Sequence, residues 1–353
     1  MNGIVKEDLE AIIKTLGEEA RLLEGRTLLI SGGAGFLGTY FIGVIHLLNK
    51  NIFKKPCKVI SVDNYITGQK NNFLENLNDP NIRFIKKDII RPLKIKEPVD
   101  YIVHMAGIAS PFYFKKYPLE TIEVAVTGTK NLLEFARTKK IKGLLVFSSS
   151  EIYGDPDPKR IPIPEHYRGN VASIGPRACY DESKRLAETL ATTYHQLYGI
   201  PVKIVRPFNV YGPGMKPNDY RVIPSFINRG LDGQVLHVHG KGNQTRTFCY
   251  ITDAITGFFK VLLSGKEGEV YNVGITKGEM NMASLANMVK DLLGKKGIKV
   301  KLIDYPNSYP ADEPNRRCPD ITKIRKELGY NPSIDPRTGL RRTINWYKEV
   351  FNK

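Results

Sequence analysis

The stretch Gly32-Gly33-Ala34-Gly35-Phe36-Leu37-Gly38 constrains the fold of this chain more than any other. It satisfies both G-x-x-G-x-x-G and G-x-G-x-x-G, a pattern that is weak alone. Here it follows the apolar run Thr27 to Ser31 and opens a helical pattern through Leu48, and that context gives it meaning. Glycines let a backbone approach a pyrophosphate, and a helix N-terminus favours its negative charge. Asp63 ends the next apolar run at about the spacing expected of a carboxylate that accepts from a ribose diol. A carboxylate there repels a 2′-phosphate, so NAD is favoured over NADP. Asp88 closes Phe84-Ile85-Lys86-Lys87-Asp88 and is placed to reach the adenine, or is a plain loop carboxylate.

Further strand-like runs follow at Arg83–Lys87, Tyr101–His104, Leu144–Ser148 and Val202–Val205, with long helical patterns at Leu119–Arg137 and Tyr180–Tyr198. This alternation predicts an α/β fold: a Rossmann doubly wound parallel sheet with right-handed crossovers and helices on both faces. Beyond Pro207 the texture changes to proline- and glycine-punctuated, shorter elements. The expected organisation is a helical extension over 1–25, a dinucleotide-binding domain over 26–206 and a smaller C-terminal substrate lobe over 207–353. Some segments of that lobe are expected to cross back to the sheet. Asp155 to Arg177 is a flap over the site or simply a long connection.

Size and composition, 353 residues with 41% hydrophobic and 25% charged, suit a globular protein with a large core. The amphipathic N-terminus lacks the basic start and apolar core of a signal peptide, and no apolar run reaches transmembrane length. A cytoplasmic location is the expectation. The net charge of +17 is spread over scattered doublets such as Lys54-Lys55 and Lys295-Lys296, with no long basic run. A cationic surface around a polyanionic small molecule is therefore expected, with neither nucleic acid nor membrane as partner. Cys57, Cys179, Cys249 and Cys318 are too scattered for a zinc or dithiol motif and read as reduced structural thiols. No metal site is expected. His237 and His239 alternate along a strand-like run and are expected on one partly exposed face.

Chemistry is carried by Ser148-Ser149-Ser150-Glu151-Ile152-Tyr153-Gly154 and by Tyr180-Asp181-Glu182-Ser183-Lys184. Tyr180 and Lys184 are four residues apart, so they share a helix face. The Lys184 ammonium is expected to lower the Tyr180 pKa towards neutrality. A tuned phenol suits removal of a hydroxyl proton while the carbon beneath it is oxidised. The structural alternative is a buried aromatic beside a solvated helix charge.

Gly32 to Gly38, Asp63 and Tyr180-x-x-x-Lys184 resemble the extended short-chain dehydrogenase/reductase family acting on nucleotide sugars. Within it the chain most resembles the UDP-glucuronate decarboxylases (UDP-xylose synthases). The specific matches are Ser150-Glu151-Ile152-Tyr153-Gly154-Asp155-Pro156, Ile174-Gly175-Pro176-Arg177-Ala178-Cys179-Tyr180-Asp181-Glu182, Gln244-Thr245-Arg246 and Arg317-Cys318-Pro319-Asp320. The likeness extends from Arg26 to Trp346.

The resemblance implies that Tyr180, assisted by Lys184 and Ser149, takes the proton of the sugar 4-hydroxyl as C4 is oxidised. The 4-ketone then accepts the electrons released by departing CO2, and its reduction gives UDP-xylose. Ser150 and Glu151 contact the sugar ring, Arg317 stabilises its changing charge, and Asn209 and Arg246 contact the nucleotide sugar. Expected NAD contacts are Gly32, Gly35, Phe36, Leu37, Asp63, Asn64, Thr67, Gly68, Asp88, Ile89, Met105, Gly107, Tyr180 and Lys184. A homodimer through the two long helices is implied as well.

Sister 4,6-dehydratases carry an acid where this chain has Ser150, and many 4-epimerases have a small or neutral residue in place of Glu151. Decarboxylation is therefore the leading expectation. The alternatives are a dehydratase, a 4-epimerase or an oxidative decarboxylase that releases the 4-keto sugar. More remote is a non-catalytic NAD-binding scaffold, disfavoured by the Tyr/Lys pair. Two departures from the family pattern are Ala125, where Asn is usual, and Glu123, where close decarboxylases tend to have Lys.

Overall fold

The apolar runs pair into a parallel sheet in the computed structural model, which describes residues 1–68, 74, 77, 79–305 and 313–352. The first part of the chain forms α1 (Gly3–Leu16), β1 (Thr27–Ser31), α2 (Phe36–Asn51), β2 (Lys58–Asp63), β3 (Ile82–Lys86), β4 (Tyr101–His104), α3 (Pro111–Lys116), α4 (Pro118–Arg137), β5 (Gly143–Phe147), α5 (Ala178–Tyr198) and β6 (Val202–Pro207). It continues as β7 (Val210–Tyr211), α6 (Val222–Leu231), β8 (Leu236–His239), β9 (Thr245–Arg246), β10 (Cys249–Tyr250), α7 (Ile251–Ser264) and β11 (Val270–Val273). The remainder is β12 (Met280–Asn281), α8 (Met282–Leu293), β13 (Val300–Ile303), β14 (Arg316–Arg317), α9 (Thr322–Leu328) and α10 (Pro336–Phe351).

Among the described residues the main sheet has seven strands in the order β11-β6-β5-β4-β1-β2-β3, all parallel. The middle of the sheet is covered on both faces, so β4 and β5 are buried along their whole length and read as unbroken apolar runs. The strand order reverses between β1 and β4, and such a switch point opens a crevice at the carboxyl ends of the strands. Ser31 pairs in register with both Val62 and His104, which aligns three strand ends at that crevice. Ser31 Oγ lies 2.7 Å from His104 Nδ1, and burial pushes the imidazole pKa down to about 3, so it is neutral at physiological pH. β11, from beyond Pro207, completes the sheet edge against β6.

α1 is a working part of the core. Asn2 caps it, accepting from the Ile4 and Val5 amides, and Val5, Leu9, Ile12 and Leu16 are buried against α2 and α7. Full burial of such side chains contributes roughly 1.5–3 kcal/mol each. On the same face Asp8 is buried, accepting from Tyr250 Oη at 2.8 Å and Arg342 Nη2 at 2.8 Å. Burial pushes the Asp8 pKa up to about 6, although Arg342 opposes the shift.

The short strands beyond Pro207 bring together residues far apart in sequence. β9 pairs with β14 in parallel, with Arg246 in register with Arg317. β8 pairs with β13, leaving His237 and His239 half-buried on one face, as the alternation suggested. The segment 155–177 reaches towards the chain around β14. Ile163 bridges to Pro319, and Asp155 Oδ1 accepts from the Asn315 amide at 2.8 Å. Cys57, Cys249 and Cys318 are buried free thiols, and Cys179 is a half-buried one. Among the described residues, no helix is long and apolar enough to cross a membrane, and no group of three or more His, Cys, Asp or Glu is arranged to hold a metal ion.

Candidate active site

A cavity of about 1830 Å³ opens over the carboxyl ends of the strands, and a smaller one of about 80 Å³ lies between β2 and α4. The turn after β1 forms the floor shared by both. Gly32 has φ +80°, and a Cβ there would lie 2.6 Å from the Ala106 amide nitrogen. At Gly38 a Cβ would lie 2.3 Å from the Gly32 carbonyl oxygen, so α2 can start this close to β1 only with glycine. Gly35 caps α2, whose first turn carries no acid to compete with a bound anion.

The smaller cavity is lined by Gly32, Gly35, Asp63, Asn64, Thr67, Gly68, Asp88, Ile89, Met105 and Gly107, all among the expected cofactor contacts; Phe36 and Leu37 line the larger one. Asp63 accepts from the Ala34 amide at 3.0 Å and the Tyr65 amide at 2.8 Å, which aims its carboxylate at the turn. Burial raises its pKa, and the two amides oppose the rise. Asp88 accepts from Asn64 Nδ2 at 2.9 Å and from the Ile90 amide at 3.1 Å. A backbone that admits no Cβ, a helix N-terminus free of acid and two oriented carboxylates fit a dinucleotide. Glu123 is exposed on the wall of this smaller cavity and does not line the larger one.

Tyr180 and Lys184 share one face of α5, both line the large cavity, and both are buried. The Tyr180 ring stacks on Phe114 with centroids 5.5 Å apart. Lys184 Nζ donates to the Phe147 carbonyl at 2.7 Å and lies 6.0 Å from the Tyr180 ring centroid. The Tyr180 phenol is shifted upwards, opposite to the tuning expected from Lys184. Burial pushes the Tyr180 pKa up to about 12, against a hydrogen bond with Ser149 that favours the ionised form. Burial also pushes Lys184 down to about 8. Helical spacing therefore placed the pair correctly, while desolvation, which spacing does not report, dominates their acidity.

Ser149 and Ser150 follow β5, and Ser149 Oγ accepts from the Glu151 amide at 3.2 Å, starting the 3-10 turn Ser150–Tyr153. Glu151 is held by two guanidiniums. Arg317 pairs with it at 2.6 Å, and Arg177 Nη2 donates to its Oε2. Arg177 also donates to Glu313 Oε2 at 2.7 Å and lies 3.5 Å from Asp181. Arg246 donates to Glu313 Oε1 at 2.9 Å and to the Pro314 carbonyl. Burial raises the Glu313 pKa, but Arg177, Arg317 and Arg246 outweigh it and leave the carboxyl below its ordinary value. Asn209 lines the cavity with φ +40°, and its side-chain amide donates to the Thr247 carbonyl at 3.0 Å.

Every sequence-derived site residue thus borders one of the two cavities. Arg177, Asp181, Glu313 and Arg221 were not singled out. Arg177 had a signal, since it lies within the Ile174–Glu182 motif one helical turn before Tyr180. Arg221, paired with Asp219 and bearing electrostatically on Tyr180, had none.

A parallel dinucleotide-binding fold with a Tyr/Lys pair over its switch point defines a class, and the chain belongs to the NAD dependent epimerase/dehydratase family, whose pattern matches residues 28–274. Among curated relatives, UDP-glucuronic acid decarboxylase 5 of Arabidopsis thaliana is 42% identical over 313 residues, covering 89% of this chain and 86% of the relative. Among solved structures, an epimerase of Methanothermobacter thermautotrophicus superposes with a TM-score of 0.83 at 26% identity, over 96% of this chain and 97% of that one. The dTDP-glucose 4,6-dehydratase of Streptomyces venezuelae, solved with NAD bound, gives 0.79 at 29% identity, over 92% of this chain and 98% of that one.

Proposed function

We propose that this protein is an NAD-dependent decarboxylase that converts UDP-glucuronate to UDP-xylose through a sugar oxidised at C4. The observation that carries the reading is Glu151 clamped between Arg177 and Arg317, beside Ser150 rather than an acid. A neutral hydroxyl at Ser150 leaves no group there to protonate a departing hydroxyl, which disfavours dehydration. The likeness to curated UDP-glucuronic acid decarboxylases supports the same choice.

Gly32, Gly35, Phe36 and Leu37 would hold the pyrophosphate of NAD, and Asp63, Asn64, Thr67, Gly68, Asp88 and Ile89 its adenosine. Met105, Gly107, Tyr180 and Lys184 would flank the nicotinamide end. NAD, when bound, supplies the oxidant and later the reductant for C4, and carries a positive ring charge. Tyr180 would accept the 4-hydroxyl proton as phenolate, a form that burial disfavours and that the positive nicotinamide ring, the nearby Lys184 ammonium and the Ser149 hydrogen bond would favour. Lys184 braces the site through its bond to the Phe147 carbonyl. Once C4 is a ketone, it lies β to the carboxylate on C5, so the electrons of the breaking C–C bond move into the C4 carbonyl. The enolate so formed would take a proton from solvent at C5, and Tyr180 would return its proton to O4 as C4 is reduced. Arg317 offsets the negative charge that develops on the sugar, and Ser150 and Glu151 hold the ring. Arg246 and Asn209 bind the nucleotide diphosphate; the guanidinium fork suits phosphate oxygens.

Residues 26–206 are the NAD-binding domain and 207–353 the nucleotide-sugar lobe, with 1–25 as a helical extension packed on both. The protein acts in the cytoplasm as a homodimer. Outward apolar side chains on α4 and α5 support the dimer, among them Leu119 at 71% and Leu197 at 67% exposure.

The decisive experiment is mass spectrometry of UDP-glucuronate incubated with the protein and NAD. Loss of the mass of CO2 is expected. Loss of water, or an unchanged mass with every uronate tried, would replace this reading with a dehydratase or an epimerase.

A further inference from the structure

Three guanidiniums and three carboxylates converge at the sugar end of the large cavity: Arg177, Arg246 and Arg317 with Glu151, Asp181 and Glu313. All three arginines are buried. Glu151 takes the fork of Arg317, while Glu313 spans Arg177 at 2.7 Å and Arg246 at 2.9 Å. Asp181 only flanks Arg177, at 3.5 Å. Glu151 and Glu313 already occupy the faces of all three guanidiniums before any ligand arrives.

A nucleotide sugar that carries a diphosphate and a carboxylate brings further negative charge into this group. A buried anion left without a partner is costly, and the guanidinium faces are already taken, so an incoming anion reaches them only if an internal acid gives up its place. Glu151 is fixed in the 3-10 turn after β5, and Asp181 in the first turn of α5. Glu313 alone of the three lies outside a helical element, on the irregular stretch that leads into β14. It also lines the cavity, and its two oxygens occupy the arginine faces that an incoming phosphate or carboxylate needs.

We propose that Glu313 is an internal counter-anion. It holds Arg177 and Arg246 in place when the site is empty of substrate and is exchanged for an anionic group of the nucleotide sugar. The inference rests on the nucleotide-sugar reading above and deepens it. Glu313 is a positioning residue that sets how strongly an anion must bind to enter, so multiply charged ligands are selected over singly charged or neutral ones.

The test is UDP binding, by calorimetry, to the wild-type protein and to Glu313→Gln, which keeps the shape but removes the competing charge. The variant is expected to bind UDP about tenfold more tightly, with KM for UDP-glucuronate falling in parallel. Equal or weaker UDP binding by a folded variant, with the wild type binding UDP, overturns the inference alone. Absence of UDP binding by both proteins overturns the nucleotide-sugar reading and this inference with it. Should Glu313→Gln fail to fold, Glu313→Asp serves. Too short to span both arginines, it is expected to tighten UDP binding by a smaller factor, and unchanged affinity would refute the exchange.

Discussion

Arg317 and Glu151 form a two-pronged salt bridge, Nη1 to Oε1 at 2.6 Å and Nη2 to Oε2 at 2.7 Å. The fork is specific to a planar guanidinium, so Arg317→Lys keeps the charge but loses the geometry. Turnover of UDP-glucuronate is expected to fall about a hundredfold, the scale of losing one oriented charge-stabilising group. Steady-state kinetics checks this, and near-wild-type turnover would show that the fork is structural.

Tyr180→Phe removes the phenol but keeps the stack on Phe114. Decarboxylation should drop about a thousandfold, within the range for loss of a general base. Thermal unfolding should change little. A variant that turns over at the wild-type rate would acquit Tyr180 as the base.

Asp181 yields a pH prediction. Burial and the neighbouring Glu151 carboxylate raise its pKa in the folded protein, against Arg177 and Arg317. The native state therefore keeps this proton to higher pH than the unfolded chain does. Stability from this group is greatest in acid and declines as pH rises from about 4 towards neutrality. Asp181→Asn cannot titrate, so its unfolding temperature should fall less between those limits. Parallel melting curves for the two proteins across that range would refute the argument.

Gly38→Ala puts a Cβ 2.3 Å from the Gly32 carbonyl oxygen and 2.6 Å from Gly33 Cα. Both neighbours are backbone, so the turn itself must shift. The expected cost is about 1–3 kcal/mol of stability, together with a large loss of NAD affinity. Fluorescence titration with NAD, alongside urea unfolding, separates the two effects.

Leu9→Ala probes the first helix. Leu9 is fully buried, and its truncation should cost about 2–5 kcal/mol. Urea unfolding measures it; a loss below about 1 kcal/mol would mean that α1 is dispensable padding.

The sheet was legible in the sequence because strands buried on both faces cannot hide: Leu144–Phe147 and Tyr101–His104 are apolar at nearly every position. The Tyr180–Lys184 pair was legible because helical spacing alone sets which residues share a face. The acidity of that pair was not, since desolvation depends on what Phe114 and the surrounding loops cover. Arg246 and Arg317 were named through the family resemblance, but their meeting in one cluster was not legible. Arg246 and Arg317 meet through a two-residue parallel pairing between distant segments, and such short strands leave no periodic trace. The apolar stripe of α1 announced a helix but not its partners, because the α7 face that covers it lies far along the chain.

The Asp8 contacts impose an order on biosynthesis. Asp8 is 242 positions from Tyr250 and 334 from Arg342. The greasy side of α1 leaves the ribosome long before α7 exists to receive it, and the ion pair with Arg342 waits for α10. Until then the nascent chain carries an apolar helix that α2 covers only in part, and a carboxylate with no guanidinium beside it, the kind of surface that chaperones shield. Slow translation ahead of α7 would lengthen that exposure, so synonymous changes in that region are expected to alter soluble yield without altering the finished protein.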